Sequence, residues 1–177
     1  MKWLAILPLL FTGCITTDEF TKMWLKHVEK SYNWIQADNE AMKYKDGEEE
    51  ARKYLQDLRT MTDPYAISQK IVKDGFDWRA EVIDFTNYPW VTIAKKRGDC
   101  DDFAALWDAT FKYRGKTERV YVAKRDHSSA HAMILYNDGV KLYILSNQYV
   151  LSVGGPDDGD KLIKLFYKEE TGQFIRY

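Results

Sequence analysis

The chain has 177 residues, with 26 Lys and Arg against 27 Asp and Glu for a formal net charge of −1. So even a balance supplies none of the strong field expected of a nucleic-acid binder, and no nucleic acid is expected as a partner. Aromatic residues make up 15% of the sequence, enough to fill the core of one small domain without disulfides, and no repeat or long linker interrupts it.

Residues 1–13 have the order of a signal peptide: Met1-Lys2, then the apolar run Trp3 to Phe11, which is too short to span a membrane as a helix. Phe11-Thr12-Gly13-Cys14 resembles the bacterial lipobox, which implies cleavage before Cys14 and lipidation of its thiol. Ile15, where an aspartate would retain such a chain at the inner membrane, resembles outer-membrane sorting. The expected location is therefore the outer membrane or periplasm of a bacterial envelope, with several acyl chains making the membrane anchor stable.

Residues 14–60 form an N-terminal helical segment. Phe20, Trp24, Leu25, Val28, Tyr32 and Ile35 recur at helical spacing, and a second helical stretch, Ala41 to Leu58, is interrupted at Asp46-Gly47. His27 sits among charges there and reads as a solvated or packing residue. From residue 61 to 177 the chain reads as one further domain. Asp63-Pro64 opens a helix over Tyr65 to Asp74, and Gly75 ends it. Phe76 to Trp90 is irregular and aromatic, as expected of a cleft wall, and Asn87 and Trp90 are its candidate oxyanion donors beside the Cys100 N–H. Packing is the plainer role for each ring.

Cys14 and Cys100 are the only cysteines, so loss or modification of Cys14 leaves Cys100 without an intramolecular disulfide partner. Cys100 follows Arg97-Gly98-Asp99, with Asp99 as N-cap of a helix running to Tyr113 and Gly115 as its stop. At a helix start, backbone N–H groups and the dipole favour a thiolate, whereas Asp99, Asp101 and Asp102 oppose it. A histidine partner is then required. His127 follows Lys124-Arg125-Asp126 and reads as part of a turn. His131 opens the alternating strand Ala130-His131-Ala132-Met133-Ile134-Leu135-Tyr136, and small neighbours leave room for a substrate. Asn137-Asp138-Gly139 is a hairpin signal leading into a strand from Val140 to Val153, which puts Asn147 in reach as the residue that orients the imidazole. Further strands are expected over Glu118 to Ala123, Leu162 to Tyr167 and Gln173 to Tyr177.

The stretch Trp90 to Ala104 around Gly98-Asp99-Cys100-Asp101-Asp102-Phe103-Ala104, then Ala130-His131-Ala132, then Tyr143-Ile144-Leu145-Ser146-Asn147, resembles the bacterial transglutaminase-like cysteine proteinases. The resemblance implies an α+β, papain-like transglutaminase core with helices packed on an antiparallel β-sheet. It also implies Cys100 as nucleophile and His131 as general base. The family's third residue is an aspartate, and here the matching position is Ser146, followed by Asn147. Either Asn147 orients the ring or the triad is incomplete. The three aspartates are explained by capping and the helix dipole. Alternatively, some family members bind calcium at the acids flanking the cysteine, and Asp99, Asp101 and Asp102 are the matching residues. The expectation is a lipid-anchored cysteine peptidase or amidase acting on a peptide or protein of the cell envelope. The alternative is a catalytically impaired module that binds one.

Overall fold

The computed structural model describes residues 33–80, 85–124, 130–158 and 171–176. Cys14 and its leader, His27, His127 and the strand expected over Leu162 to Tyr167 lie outside them. Two compact units divide the chain, Met1–Ile35 and Gln36–Tyr177. Of the first, only residues 33–35 are described, and they are helical. Everything below concerns the second unit.

That unit opens with helix α1, residues 36–43, followed after a short 3-10 turn by α2, Glu48–Thr60. Glu48, Glu49 and Glu50 occupy the first turn of α2, where negative charge complements the dipole, and Ala51, Leu55 and Leu58 form its buried stripe. Helix α3, Pro64–Lys73, starts at Asp63, whose carboxylate accepts from Tyr65 N at 3.0 Å, and buries Ile67 and Ile71. Gly75 ends it at φ +83°, a left-handed position suited to glycine.

The stretch expected to be irregular holds two short elements. Strand β1, Asp77–Trp78, pairs in parallel with β2, Arg97–Gly98, and Pro89 opens helix α4, Pro89–Lys95. Trp90 therefore lies on a helix: Pro at the first helical position sets a fitting φ and withdraws an N–H that has no partner there anyway. Helix α5, Cys100–Phe111, is buried on nearly every face.

Strands β3, Lys116–Lys124, β4, Ala130–Asn137, β5, Leu142–Ser146, β6, Tyr149–Gly154, and β7, Thr171–Arg176, form one antiparallel sheet in the order β6-β5-β4-β3-β7. The class is α+β, helices packed on an antiparallel sheet, as expected. One strand expected over Val140 to Val153 is two, because the chain reverses at Asn147-Gln148. Asn147 takes φ +48°, a left-handed conformation that asparagine tolerates better than most residues.

Helix α5 packs on β4 and also touches α2 and α4. A row of rings joins it to the sheet: Trp107 to Phe111 at 5.8 Å between centroids, Phe111 to Tyr136 at 4.1 Å, and Tyr136 to Tyr143 at 5.8 Å. The β5–β6 turn is tied to two helices. Trp107 Nε1 donates to Asn147 O at 2.6 Å, and Ser68 Oγ to Gln148 O at 2.8 Å. Trp107→Phe removes one tie and leaves a carbonyl without its donor. The expected cost is about 1–3 kcal/mol in urea denaturation, and an unchanged midpoint would count against this role for the indole.

Candidate active site

Cys100 is the first residue of α5 and is half-buried against the core cluster that holds Phe103, Trp107, Ala132 and Ile134. Its thiol thus lies where the positive end of the helix dipole favours ionisation. The loop before α4 holds the flanking acids. Asp102 is fully buried and accepts from Asn87 N at 2.6 Å and from Asn87 Nδ2 at 2.9 Å. Asp101 accepts from the Thr86 hydroxyl. Asp99 caps the helix, accepting from Asp102 N at 3.5 Å. A Cβ built on Gly98 would stand 2.6 Å from Asp102 Cβ and Oδ2, so only glycine lets β2 pass the carboxylate.

The three carboxylates do not carry three charges. Burial, a hydrogen bond to Asp101 and the charges of Asp101 and Asp102 push the Asp99 carboxyl up to about 8. It keeps its proton at neutral pH, and the repulsion on a thiolate is reduced accordingly.

All three aspartates expected to hold calcium make contacts within the protein. Asp102 accepts from Asn87, Asp101 from Thr86 and Asp99 from Asp102 N, so an ion that takes six to eight oxygens would need backbone carbonyls or waters beside what these carboxylates still offer. Among the described residues no group of three or more His, Cys, Asp or Glu side chains is placed to hold a metal ion.

His131 is the second residue of β4, half-buried, and its Nε2 lies 2.7 Å from Ser146 Oγ at the end of β5. At His131 Nε2 the β5–β6 turn thus places Ser146 Oγ and not the Asn147 amide oxygen. The Asn147 side-chain oxygen, expected to accept from the imidazole, is buried with no hydrogen-bond partner, because the chain has already turned at this residue. Burial holds the His131 pKa below its ordinary 6.5, so the resting ring is neutral at pH 7.

The pleat sorts the side chains of β4 between two faces. Strand β4 is regular, so Ala132, Ile134 and Tyr136 face the cluster beneath the helices, while Met133 and Leu135 face a second cluster with Val120 and Ile144. His131 and Ser146 fall on this second face. The β4–β5 ladder stops at Ile134↔Leu145, short of both. Cys100 packs with the first cluster.

Of the two expected oxyanion donors, Asn87 is engaged elsewhere and Trp90 packs its ring face against α2. The Asn87 backbone N–H and amide nitrogen serve Asp102, and Trp90 lies beneath the Arg52 guanidinium, 5.6 Å from the ring centroid, in the packing of α4 on α2. Thr86 at Asp101 and Ser146 at the His131 ring are contacts of the candidate site not expected from the sequence. Ser146 had a signal, its position where the resembled family has aspartate. Thr86 had none.

No family model matches the chain, and no curated protein matches it. Among solved structures it is similar to Legionella pneumophila LapG, at 16% identity and a TM-score of 0.40 over 65% of this chain and 75% of that one. It is also similar to EGTA-treated Legionella pneumophila LapG, at 15% identity and a TM-score of 0.42 over 66% and 74%. The roles of residues here rest on this chain's own geometry.

Asp99 yields a pH prediction. Its carboxyl binds a proton more tightly folded than unfolded, so its contribution to stability is complete below the ordinary value of 3.8 and is lost as pH rises towards about 8. Asp99→Asn keeps a good N-cap and removes the titration. Thermal melts from pH 4 to pH 8 are expected to show a steeper decline for the parent chain than for Asp99→Asn, and parallel curves would refute the raised carboxyl.

Proposed function

We propose that the chain is a lipid-anchored cysteine peptidase or amidase of the bacterial envelope, with Cys100 as nucleophile, His131 as proton carrier and Ser146 as the residue that holds the ring. The observation that carries this is the 2.7 Å contact between His131 Nε2 and Ser146 Oγ, on strands next to the helix that Cys100 begins. A neutral imidazole has one donor and one acceptor nitrogen, so the ring has a place for a proton. In the proposed reaction His131 takes the Cys100 proton and the sulfur attacks the carbonyl carbon. N–H groups at the start of α5 receive the developing oxyanion. Collapse expels the amine, which leaves with the proton held by His131, and water activated by the same ring cleaves the thioester. The substrate is a peptide or protein in the envelope. Cys14, carrying the lipid, would keep the enzyme at the outer membrane, and Cys14→Ser is expected to move the chain from the membrane pellet to the soluble fraction.

One observation favours a second reading, in which the cleft binds an envelope peptide without cleaving it. The group at His131 Nε2 is a neutral hydroxyl. It offers no charge to stabilise the imidazolium that forms as the proton transfers, and loss of that charge in a serine protease triad costs about 10⁴-fold. Ser146→Asp separates the two. Under the peptidase reading it raises hydrolysis of a fluorogenic peptide pool by up to about 10⁴-fold and moves the acid limb of the pH–rate curve upward, because a carboxylate favours the charged ring. Cys100→Ala abolishes hydrolysis in either background. If neither the parent chain nor Ser146→Asp cleaves any member of the pool, the binding reading replaces the enzyme.

A further inference from the structure

We propose that the outer edge of β1, at Trp78, binds an extended peptide by adding it as a further strand, and seats one apolar side chain of that peptide against the indole. This rests on the reading above that a peptide is presented to Cys100, and it names how the segment beside the reacting bond is held.

The backbone carries the first half of the argument. Among the described residues β1 pairs with β2 alone, and the register sets Trp78 opposite Gly98. Asp77 N donates to Lys96 O at 3.0 Å, and Arg79 N to Gly98 O at 2.9 Å. Residues 77 and 79 thus turn their N–H groups towards β2, and the alternation of a strand turns the Trp78 N–H and C=O outward. One residue of an incoming antiparallel strand exchanges both bonds with such a position. The complement of an edge donor and acceptor on one residue is another backbone, and the peptide presented to Cys100 brings one.

The side chain carries the second half. Asp77 and Arg79 form an ion pair at 2.9 Å on one face of β1, so Trp78 points to the other. Partners in a parallel pair share a face, and on that face a Cβ at Gly98 would meet Asp102 in the first turn of α5. Trp78 therefore flanks the helix that Cys100 begins. It is 44% exposed, whereas Phe76, two residues earlier, is buried in the core. A lone exposed ring is ordinary on a protein surface. Here the ring belongs to the same residue as the outward N–H and C=O, which gives a peptide both main-chain bonds and an apolar seat.

One strand spacing separates Trp78 from Gly98, and two residues separate Gly98 from Cys100, so the Cα atoms of Trp78 and Cys100 are at most about 12 Å apart. An extended peptide covers that distance in about three or four residues. The edge thus selects an apolar side chain at that remove from the reacting bond.

The test measures, by calorimetry, the binding of blocked octapeptides of alternating Ser and Ala to the full chain carrying Cys100→Ala, which prevents cleavage. One Phe is moved through the positions in turn. One Phe peptide is expected to bind about tenfold tighter than the parent peptide, and Trp78→Ala to cut that gain to less than about twofold. A scan of single N-methyl groups along the best peptide leaves the protein untouched, and one position is expected to lose about tenfold in affinity while its neighbours lose less. Equal binding with and without Phe, a gain that survives Trp78→Ala, tolerance of N-methylation at every position, or no binding by any peptide overturns the proposal. A dimer in sedimentation that Trp78→Ala separates gives the edge to a second copy of this chain and overturns it as well. Cleavage of the same peptides by the parent chain is scored separately. Cleavage indifferent to Phe and to Trp78→Ala leaves the peptidase standing without this edge, and selective binding without cleavage leaves the edge standing without the peptidase.

Discussion

The site depends on one buried carboxylate. Asp102 is fully shielded from water, and an ion so placed is tolerated only when its oxygens are satisfied. Asn87 supplies two donors, one from its backbone and one from its side chain. The other side of the carboxylate is closed by Gly98. Three segments distant in character, the loop before α4, strand β2 and the first turn of α5, are thereby held at one point. Cys100 is between two of them, so its position follows from a contact it does not itself make.

The same cluster sets the electrostatics. A helix start with three adjacent acids is a poor place for a thiolate if all three are charged. Burial and mutual repulsion keep one of them protonated, and donors from Thr86 and Asn87 stabilise the others, which leaves the helix dipole a larger share of the local field. His131 is tuned in the opposite sense. With a hydroxyl beside it and burial lowering its proton affinity, it rests neutral, suited to taking a proton and poorly suited to keeping one. A thiol beside such a ring is activated during attack and does not rest as a thiolate–imidazolium pair.

Local signals in the sequence account for much of this architecture. Asp99 before Cys100, Asp63-Pro64 before α3 and Asn137-Asp138-Gly139 between β4 and β5 act through neighbours a few residues away, and the elements they announce are present. The turn at Asn147-Gln148 was not legible, because the polar run Ser146-Asn147-Gln148 is short, lies between two apolar stretches and contains no glycine or proline. Its hold comes from Trp107 and Ser68, forty and eighty residues away in sequence. That turn is why the residue at the ring is Ser146. The engagement of Asp101 and Asp102 by Thr86 and Asn87 is likewise a product of packing. The helix at Pro89 was hidden by the aromatic residues around it.

The central claim is that Cys100 and His131 act as a pair, and the most direct measurement is the rate of Cys100 alkylation by iodoacetamide as a function of pH, with and without His131→Ala. The account predicts a rate near neutrality above that of an ordinary thiol, falling about tenfold or more in His131→Ala, with an acid limb below pH 6.5 that the substitution removes. A single titration near the free-thiol value of about 8.5 in both proteins would contradict it.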